Sequence, residues 1–189
     1  LVLPQQMKGA FILTFILAFI LGLYLIYQGG WPILIIGLCS ILFGILYTSG
    51  PYPLSYNGLG DIFVLIFFGP VAVGGTYYLQ TLQITWPVIL AGFSPGLIST
   101  ALLTVNNLRD IHTDRKSGKR TLAVRFGERF SRLEYVLAIF MASIIPAVLI
   151  FLEPGHRYVL GTSLGFILAL PSIKAVLFRE IDNRLNLVL

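Results

Sequence analysis

Asn106, Asn107, Asp110 and Asp114 stand at the end of a long apolar segment, directly before the basic run Arg115, Lys116, Lys119 and Arg120. On a helix that continues through this point, Asn106, Asp110 and Asp114 recur at i, i+4 and i+8 and form one polar stripe, with Asn107 one position round. Two carboxylates four residues apart repel each other unless a cation lies between them. Mg²⁺ suits such a pair, because it takes oxygen ligands, keeps several waters and commonly bridges one or two carboxylates to a substrate phosphate. Arg109, Arg115, Lys116, Lys119 and Arg120 are then placed to meet the remaining phosphate charge, and Ser117-Gly118 supplies a turn that folds the basic segment back over such a ligand. The pattern predicts a metal and phosphorylated-ligand site with Asp110 and Asp114 as the metal-binding carboxylates. The plainer alternative is a solvated loop in which Arg109 or Arg115 neutralises the acids.

The elements that position these groups follow from hydropathy. With 57% hydrophobic and 11% charged residues and a mean hydropathy of +0.88, the 189-residue chain exceeds what a water-soluble core needs. Between Gly9 and Leu108 the one formal charge is Asp61, and this stretch is several times longer than the roughly 20 residues of one crossing. Gly29, Gly30 and Pro32 punctuate it first, then the polar uncharged connection from Ser49 to Gly60, then Gln80 to Pro87. After the basic loop, Glu153 to Arg157 separates two more apolar runs. The chain is therefore read as an all-α polytopic transmembrane bundle with six spans near 8–28, 32–48, 62–80, 87–109, 132–152 and 158–178. Tyr24, Tyr27, Trp31, Tyr77, Tyr78, Trp86 and Tyr158 fall near the breaks, where amphipathic rings suit the headgroup layer.

Six crossings put Lys8, the loop after span four, Lys174, Arg179 and Arg184 on one side, which collects twelve of the thirteen basic residues; Arg157 alone falls on the other. Basic residues near span ends favour the cytoplasm, so the aspartates are expected to face it from a cell (inner) membrane. The net charge of +5 is concentrated between Asn107 and Glu134. Held against a bilayer, that loop argues for anionic headgroups or a diphosphate and against nucleic acid. Cys39 lies within a span and reads as packing. Ser131 and Glu134 match the Ser-x-x-Glu capping box that opens a helix, here span five. His112 lies on a different face from the two aspartates and His156 in the opposite loop, so neither is read as a ligand. Tyr47, Tyr52, Tyr56, Asn57 and Asp61 gather on the same side as the aspartates and are candidates to close a polar pocket. Pro70, Pro95, Pro146 and Pro171 are expected to bend spans, and Gly74, Gly75, Gly92 and Gly96 to admit close helix contacts.

The run from Asn106 through Asp110, Asp114, Lys119 and Arg120 to Arg125 resembles the second aspartate-rich motif of the UbiA superfamily of membrane prenyltransferases. Tyr47-Thr48-Ser49-Gly50-Pro51-Tyr52-Pro53-Leu54, Gly58-Leu59-Gly60-Asp61 and Phe67-Phe68-Gly69-Pro70-Val71-Ala72-Val73 resemble, more narrowly, the 1,4-dihydroxy-2-naphthoate polyprenyltransferases of menaquinone synthesis. The resemblance implies a Mg²⁺-dependent transfer of a polyprenyl group from polyprenyl diphosphate to an aromatic acceptor, with Asp110 and Asp114 on the metal. It implies that Asn106 and Asn107 support the metal site, that Arg109, Lys119 and Arg120 belong to the substrate-binding set, with Lys119 and Arg120 steadying the diphosphate, and that Tyr47 is a weaker candidate. Prenyl chain length, acceptor identity and oligomeric state are left open by the pattern.

Two departures accompany the resemblance. Family enzymes carry about nine spans, and their first aspartate motif, Asn-Asp-x-x-Asp-x-x-x-Asp after the second span, does not occur here. Positions 1–189 are therefore expected to form one prenyltransferase-like domain, incomplete at both ends, resembling spans three to eight, with little activity on its own. Pro51 also stands where other branches have Lys in a Tyr-x-x-x-Lys pattern. Two other classes compete: a non-catalytic lipid- or ion-binding transporter bundle, which predicts charges at the bilayer midplane, and a CDP-alcohol phosphotransferase, whose Asp-Gly-x-x-Ala-Arg motif is absent.

Overall fold

The computed structural model describes residues 3–181 and 185, except for the side chain of His156. Arg184, counted above among the basic residues of one side, lies outside the described residues. The chain forms helices α1 (Pro4–Gly29), α2 (Trp31–Thr48), α3 (Gly60–Thr81), α4 (Trp86–Arg109), two short helices α5 (Ile111–Lys116) and α6 (Leu122–Phe126), then α7 (Glu128–Leu152) and α8 (Arg157–Phe178). Among the described residues, six are long and apolar enough to cross a membrane, namely α1 to α4, α7 and α8. Proline sits at the first turn of α1, α2 and α4, where its missing N–H costs nothing. Gly30, at φ +66°, turns the chain directly from α1 into α2.

Helix α4 is the axis of the bundle, and its buried positions Gly92, Gly96, Thr100, Ala101, Thr104, Val105 and Leu108 are mostly small. That lets the backbone of α3 come close. A Cβ on Gly92 would stand 2.7 Å from Pro70 Cα, and one on Gly96 would stand 2.4 Å from the Leu65 carbonyl oxygen. Gly75, by contrast, would meet only the tip of Ile36 at 3.8 Å, so the expected glycine contacts are made chiefly by Gly92 and Gly96. Pro70 interrupts α3 with a π-helical turn, Phe67–Val71, in which Gly69 leaves helical geometry. On the far side of α4, Ala101, Val105 and Leu108 pack with Tyr135 and Ala138 of α7, Ile173 and Val176 of α8, and Leu185. Arg132 reaches from α7 to donate to the carbonyls of Val176 and Arg179, supplying partners at the end of α8.

The outside is apolar. In α1 only Gly29 is buried, and Phe11, Leu13, Leu21 and Leu23 face outward, an exterior stable in hydrocarbon rather than water. Tyr27, Trp31, Trp86 and Tyr158 are exposed at helix ends, as their amphipathic rings predict.

Two span starts are corrected, and the first is that of α1, which begins at Pro4 rather than near residue 8. Span five begins at Glu128, not near residue 132, because Gly127 at φ +84° ends α6 and serves as the N-cap of α7. The Ser131 amide already donates to the Gly127 carbonyl at 3.3 Å, and its hydroxyl is fully buried without a partner among the described residues. Ser131 and Glu134 therefore form no capping box. Instead, the Glu134 carboxyl lies beside Thr104 of α4.

Candidate active site

The polar end of α4 bends where the stripe of asparagines and aspartates was expected to run straight. Asp110, at φ −93° and ψ 8°, separates α4 from α5, although the backbone ladder still crosses it: the Asp110 amide donates to Asn106 O at 3.0 Å and the Asp114 amide to Asp110 O at 2.8 Å. The two aspartates thereby acquire different surroundings. Asp110, with 42% of its side chain exposed, takes a two-pronged grip from Arg109, Nε to Oδ1 at 2.8 Å and Nη2 to Oδ2 at 2.6 Å. Those hydrogen bonds hold the Asp110 carboxyl below the usual carboxylate range.

Asp114 turns inward, is buried, and meets Lys119 Nζ at 2.8 Å. Its carboxylate pushes the Lys119 ammonium above the ordinary lysine range. Gly118, at φ +78°, makes the reversal that returns Lys119 to Asp114, and the Lys119 amide also donates to Asp114 O at 3.0 Å. From there the chain is tied to the connection between α2 and α3. The Arg120 amide donates to Tyr56 O at 2.7 Å, Lys119 Nζ lies 5.2 Å from the Tyr56 ring centroid, and Arg125 donates to Arg120 O and Asn57 O, both at 2.9 Å.

Between these segments lies a polar cavity of about 300 Å³, walled by Tyr47, Thr48, Ser55, Tyr56, Gly60, Asp61, Leu103, Asn107, Asp114, Lys119 and Thr121. Six of the residues singled out from the sequence meet here: Tyr47, Tyr56, Asp61, Asn107, Asp114 and Lys119. Asn106, Arg109, Asp110 and Arg120 are not among those lining residues, nor are Tyr52, Asn57, Arg115 and Lys116. Asp110 is turned to Arg109, and Arg120 is exposed. Gly60 leaves room for Tyr47, since a Cβ there would stand 3.1 Å from the tyrosine oxygen, and Ser55 Oγ donates to Tyr47 O at 2.5 Å. Tyr47 also borders a second, apolar groove of about 610 Å³ between α2 and α3, lined by Phe43, Phe63, Phe67 and Phe68.

Two further carboxyls, read from the sequence as a pocket candidate and as part of a helix cap, lie near the site. Asp61 had a signal, being the one formal charge in the hundred positions from Gly9 to Leu108. Glu134 had a misleading one, because its spacing from Ser131 mimics a cap. His112 is exposed, as expected of a solvated residue. The donors at the site are carboxylate and amide oxygens, a set suited to a hard cation such as Mg²⁺. Among the described residues no group of three or more His, Cys, Asp or Glu gathers, and Mg²⁺ commonly asks only one or two carboxylates of the protein, taking its other ligands from phosphate and water.

The profile of the UbiA prenyltransferase family matches residues 1–186. The chain belongs to the UbiA prenyltransferase family. It is 43% identical over 147 residues to the 1,4-dihydroxy-2-naphthoate octaprenyltransferase of Escherichia coli (strain K12), a match covering 75% of this chain and 47% of that protein. The enzyme of the same name from Haemophilus influenzae is 41% identical over 146 residues, covering 74% of this chain and 47% of that protein. The one from Mycobacterium tuberculosis is 36% identical over 151 residues, covering 80% and 52%. The chain thus spans about half the length of the curated relatives it matches. No solved structure gives a significant match. Family membership and six apolar helices together make this a multi-pass membrane protein with a UbiA-type helical bundle. They weigh against both the transporter bundle and the CDP-alcohol phosphotransferase.

Proposed function

We propose that the protein transfers a polyprenyl group from polyprenyl diphosphate to 1,4-dihydroxy-2-naphthoate in menaquinone biosynthesis, from the cytoplasmic face of a cell membrane. The observation that carries this reading is the junction at Tyr47, where a polar cavity holding Asp114, Asn107 and Lys119 meets an apolar groove. A diphosphate headed by a long hydrocarbon needs both environments side by side. The names of the relatives supply the acceptor, and the one-sided distribution of Lys and Arg supplies the orientation.

In this reading Asp110 and Asp114 hold Mg²⁺, supported by Asn106 and Asn107. When bound, that ion neutralises the charge that grows on the diphosphate as the allylic C–O bond breaks. Lys119, delivered to the cavity by the Gly118 turn, and Arg120 at its outer edge bind the phosphate oxygens, and Arg109 sets the orientation of Asp110. Arg125 fixes the loop by its grip on two carbonyls, so the backbone that carries Lys119 and Arg120 is already in place. Phe43, Phe63 and Phe67, with ring centroids 4.8–6.1 Å apart, keep water from the allylic carbon and present π faces that tolerate positive charge.

The test uses the complete gene product in membranes, comparing dihydroxynaphthoate with 4-hydroxybenzoate, with and without Mg²⁺. Asp114→Asn and Asp110→Asn should each lower prenylated product by about 100-fold or more while leaving insertion intact. Normal turnover in either variant, or preference for 4-hydroxybenzoate, would refute the proposal.

A further inference from the structure

We infer that Asp61 binds the aromatic acceptor, its free carboxylate oxygen accepting a hydrogen bond from a ring hydroxyl inside the polar cavity. The inference rests on the prenyl-transfer reading and assigns one reactant of that reaction to one residue. Asp61 lies in the first turn of α3 and is 5% exposed. Its Oδ1 is closed to solvent and has no hydrogen-bond partner among the described residues, and the residue lines the cavity that holds Asp114 and Lys119. A buried carboxylate oxygen without a donor is costly to keep. Such an atom, in a side chain that borders a cavity, calls for a donor that a ligand entering the cavity can bring.

The neighbouring groups are committed elsewhere. Thr100 Oγ1 donates to Gly96 O at 3.0 Å and approaches only the main-chain carbonyl of Asp61, at 3.4 Å. Thr104 Oγ1 donates to Thr100 O at 2.9 Å, and Lys119 is engaged by Asp114. Neither Tyr47 nor Glu134 makes a hydrogen bond to its Oδ1. The donor therefore comes from the ligand, and the reactants differ in what they offer. An anionic diphosphate offers acceptors that a carboxylate repels, and an isoprenoid chain offers no polar hydrogen. The hydroxylated aromatic ring carries a carboxylate of its own but, unlike the other two, also offers an O–H donor. Its hydrogen bond to a carboxylate pushes electron density into the ring, which favours attack on an allylic carbon. The cavity volume, about 300 Å³, lies in the range of small-molecule sites.

The experiment is steady-state kinetics of the complete protein in membranes with both substrates varied. In Asp61→Asn, the KM for the aromatic acceptor should rise by about 10- to 100-fold with the KM for the diphosphate and the Mg²⁺ requirement unchanged. Wild type should also reject the mono-O-methyl ethers of the acceptor by about 10-fold or more, and at least one of those rejections should shrink in Asp61→Asn. Independently of any variant, a diazirine-bearing dihydroxynaphthoate should photolabel the wild-type peptide containing Asp61, with protection by excess acceptor. The inference is overturned if the acceptor KM stays put, if the diphosphate KM or Mg²⁺ requirement moves instead, or if the label lands elsewhere. Loss of product in Asp114→Asn alongside normal acceptor kinetics in Asp61→Asn would sink this inference alone. Normal product in Asp114→Asn would sink the prenyl-transfer reading itself.

Discussion

Replacing Gly96 by alanine tests whether the site depends on the backbone contact between α3 and α4. The added methyl would stand 2.4 Å from Leu65 O and 3.0 Å from Gly69 Cα. Ordinary carbon contacts begin near 3.5 Å, so the helices must part by on the order of 1 Å. Because both neighbours are main chain, no side-chain rotation relieves the clash. Overpacking of this kind costs about 3 kcal/mol, the upper end of its usual range, and the better helix propensity of alanine returns about 1 kcal/mol. A net loss of about 2 kcal/mol corresponds to a fall of about 4–8 °C in the unfolding midpoint. Asp61 lies one turn before Leu65, so the same displacement moves the cavity wall and should raise the acceptor KM. The assay is thermal unfolding in nanodiscs followed by kinetics, with Gly75→Ala as the control, because its methyl would meet only Ile36 Cδ1 at 3.8 Å. A Gly96→Ala protein as stable as wild type, or no more affected than Gly75→Ala, would refute the reasoning.

Lys119→Met leaves the buried Asp114 carboxylate without its cation; because Lys119 is 32% exposed, the cost should be about 1–2 kcal/mol rather than the several expected of a fully buried pair. Adding Asp114→Asn should recover part of that loss in chemical unfolding, and strictly additive losses would show that the pair is not coupled. The pH response follows from two shifts of opposite sign. The folded-state pKa of Lys119 is raised, so its pairing stabilises at pH below the ordinary lysine range and is lost as pH climbs through the raised value; that of Asp110 is lowered, so its pairing stabilises above the ordinary aspartate range and is lost as pH falls through the lowered value. Their combined contribution should therefore be constant between about pH 5 and 10. Unfolding midpoints measured across pH should show a small acid limb that shrinks in Asp110→Asn and an alkaline limb that shrinks in Lys119→Met; a variant that keeps its limb at full size would count against the assignment.

The helices were legible because Gly29-Gly30, the polar run from Ser49 and the prolines interrupt an otherwise uncharged chain. Their ends were less so. Gly127 could be recognised as a helix boundary only through its positive φ, whereas Ser131 and Glu134 matched a local pattern that tertiary burial overrides. In the site, the reversal at Ser117-Gly118 was visible from residue type, and it does bring Lys119 to Asp114. What spacing did not reveal is that Asp110 and Asp114 part company at a bend, because the bend depends on how α5 settles against α6 and α4. The unpartnered state of Asp61 was likewise invisible, since it depends on where Thr100 and Thr104 send their hydroxyls.

The bend gives the site its electrostatic logic. The last carbonyls of α4 carry the negative end of the helix dipole, and Asp110 and Asp114 add formal charge close to that end. Left uncompensated, this concentration would oppose folding, and the chain answers it with two cations of different reach. Arg109, adjacent in sequence, cannot leave Asp110 far behind. Lys119 is held by a glycine turn and by a loop fastened to Tyr56 and Asn57, so its ammonium can pivot on four methylenes while its backbone stays fixed. A diphosphate with its metal brings both signs of charge at once: its cation suits the carboxylates as its oxygens suit the released ammonium. The ion pair between Asp114 and Lys119 thus keeps a buried acid neutralised until the ligand separates the two, and the separation costs least where one partner, Lys119, is already partly in water.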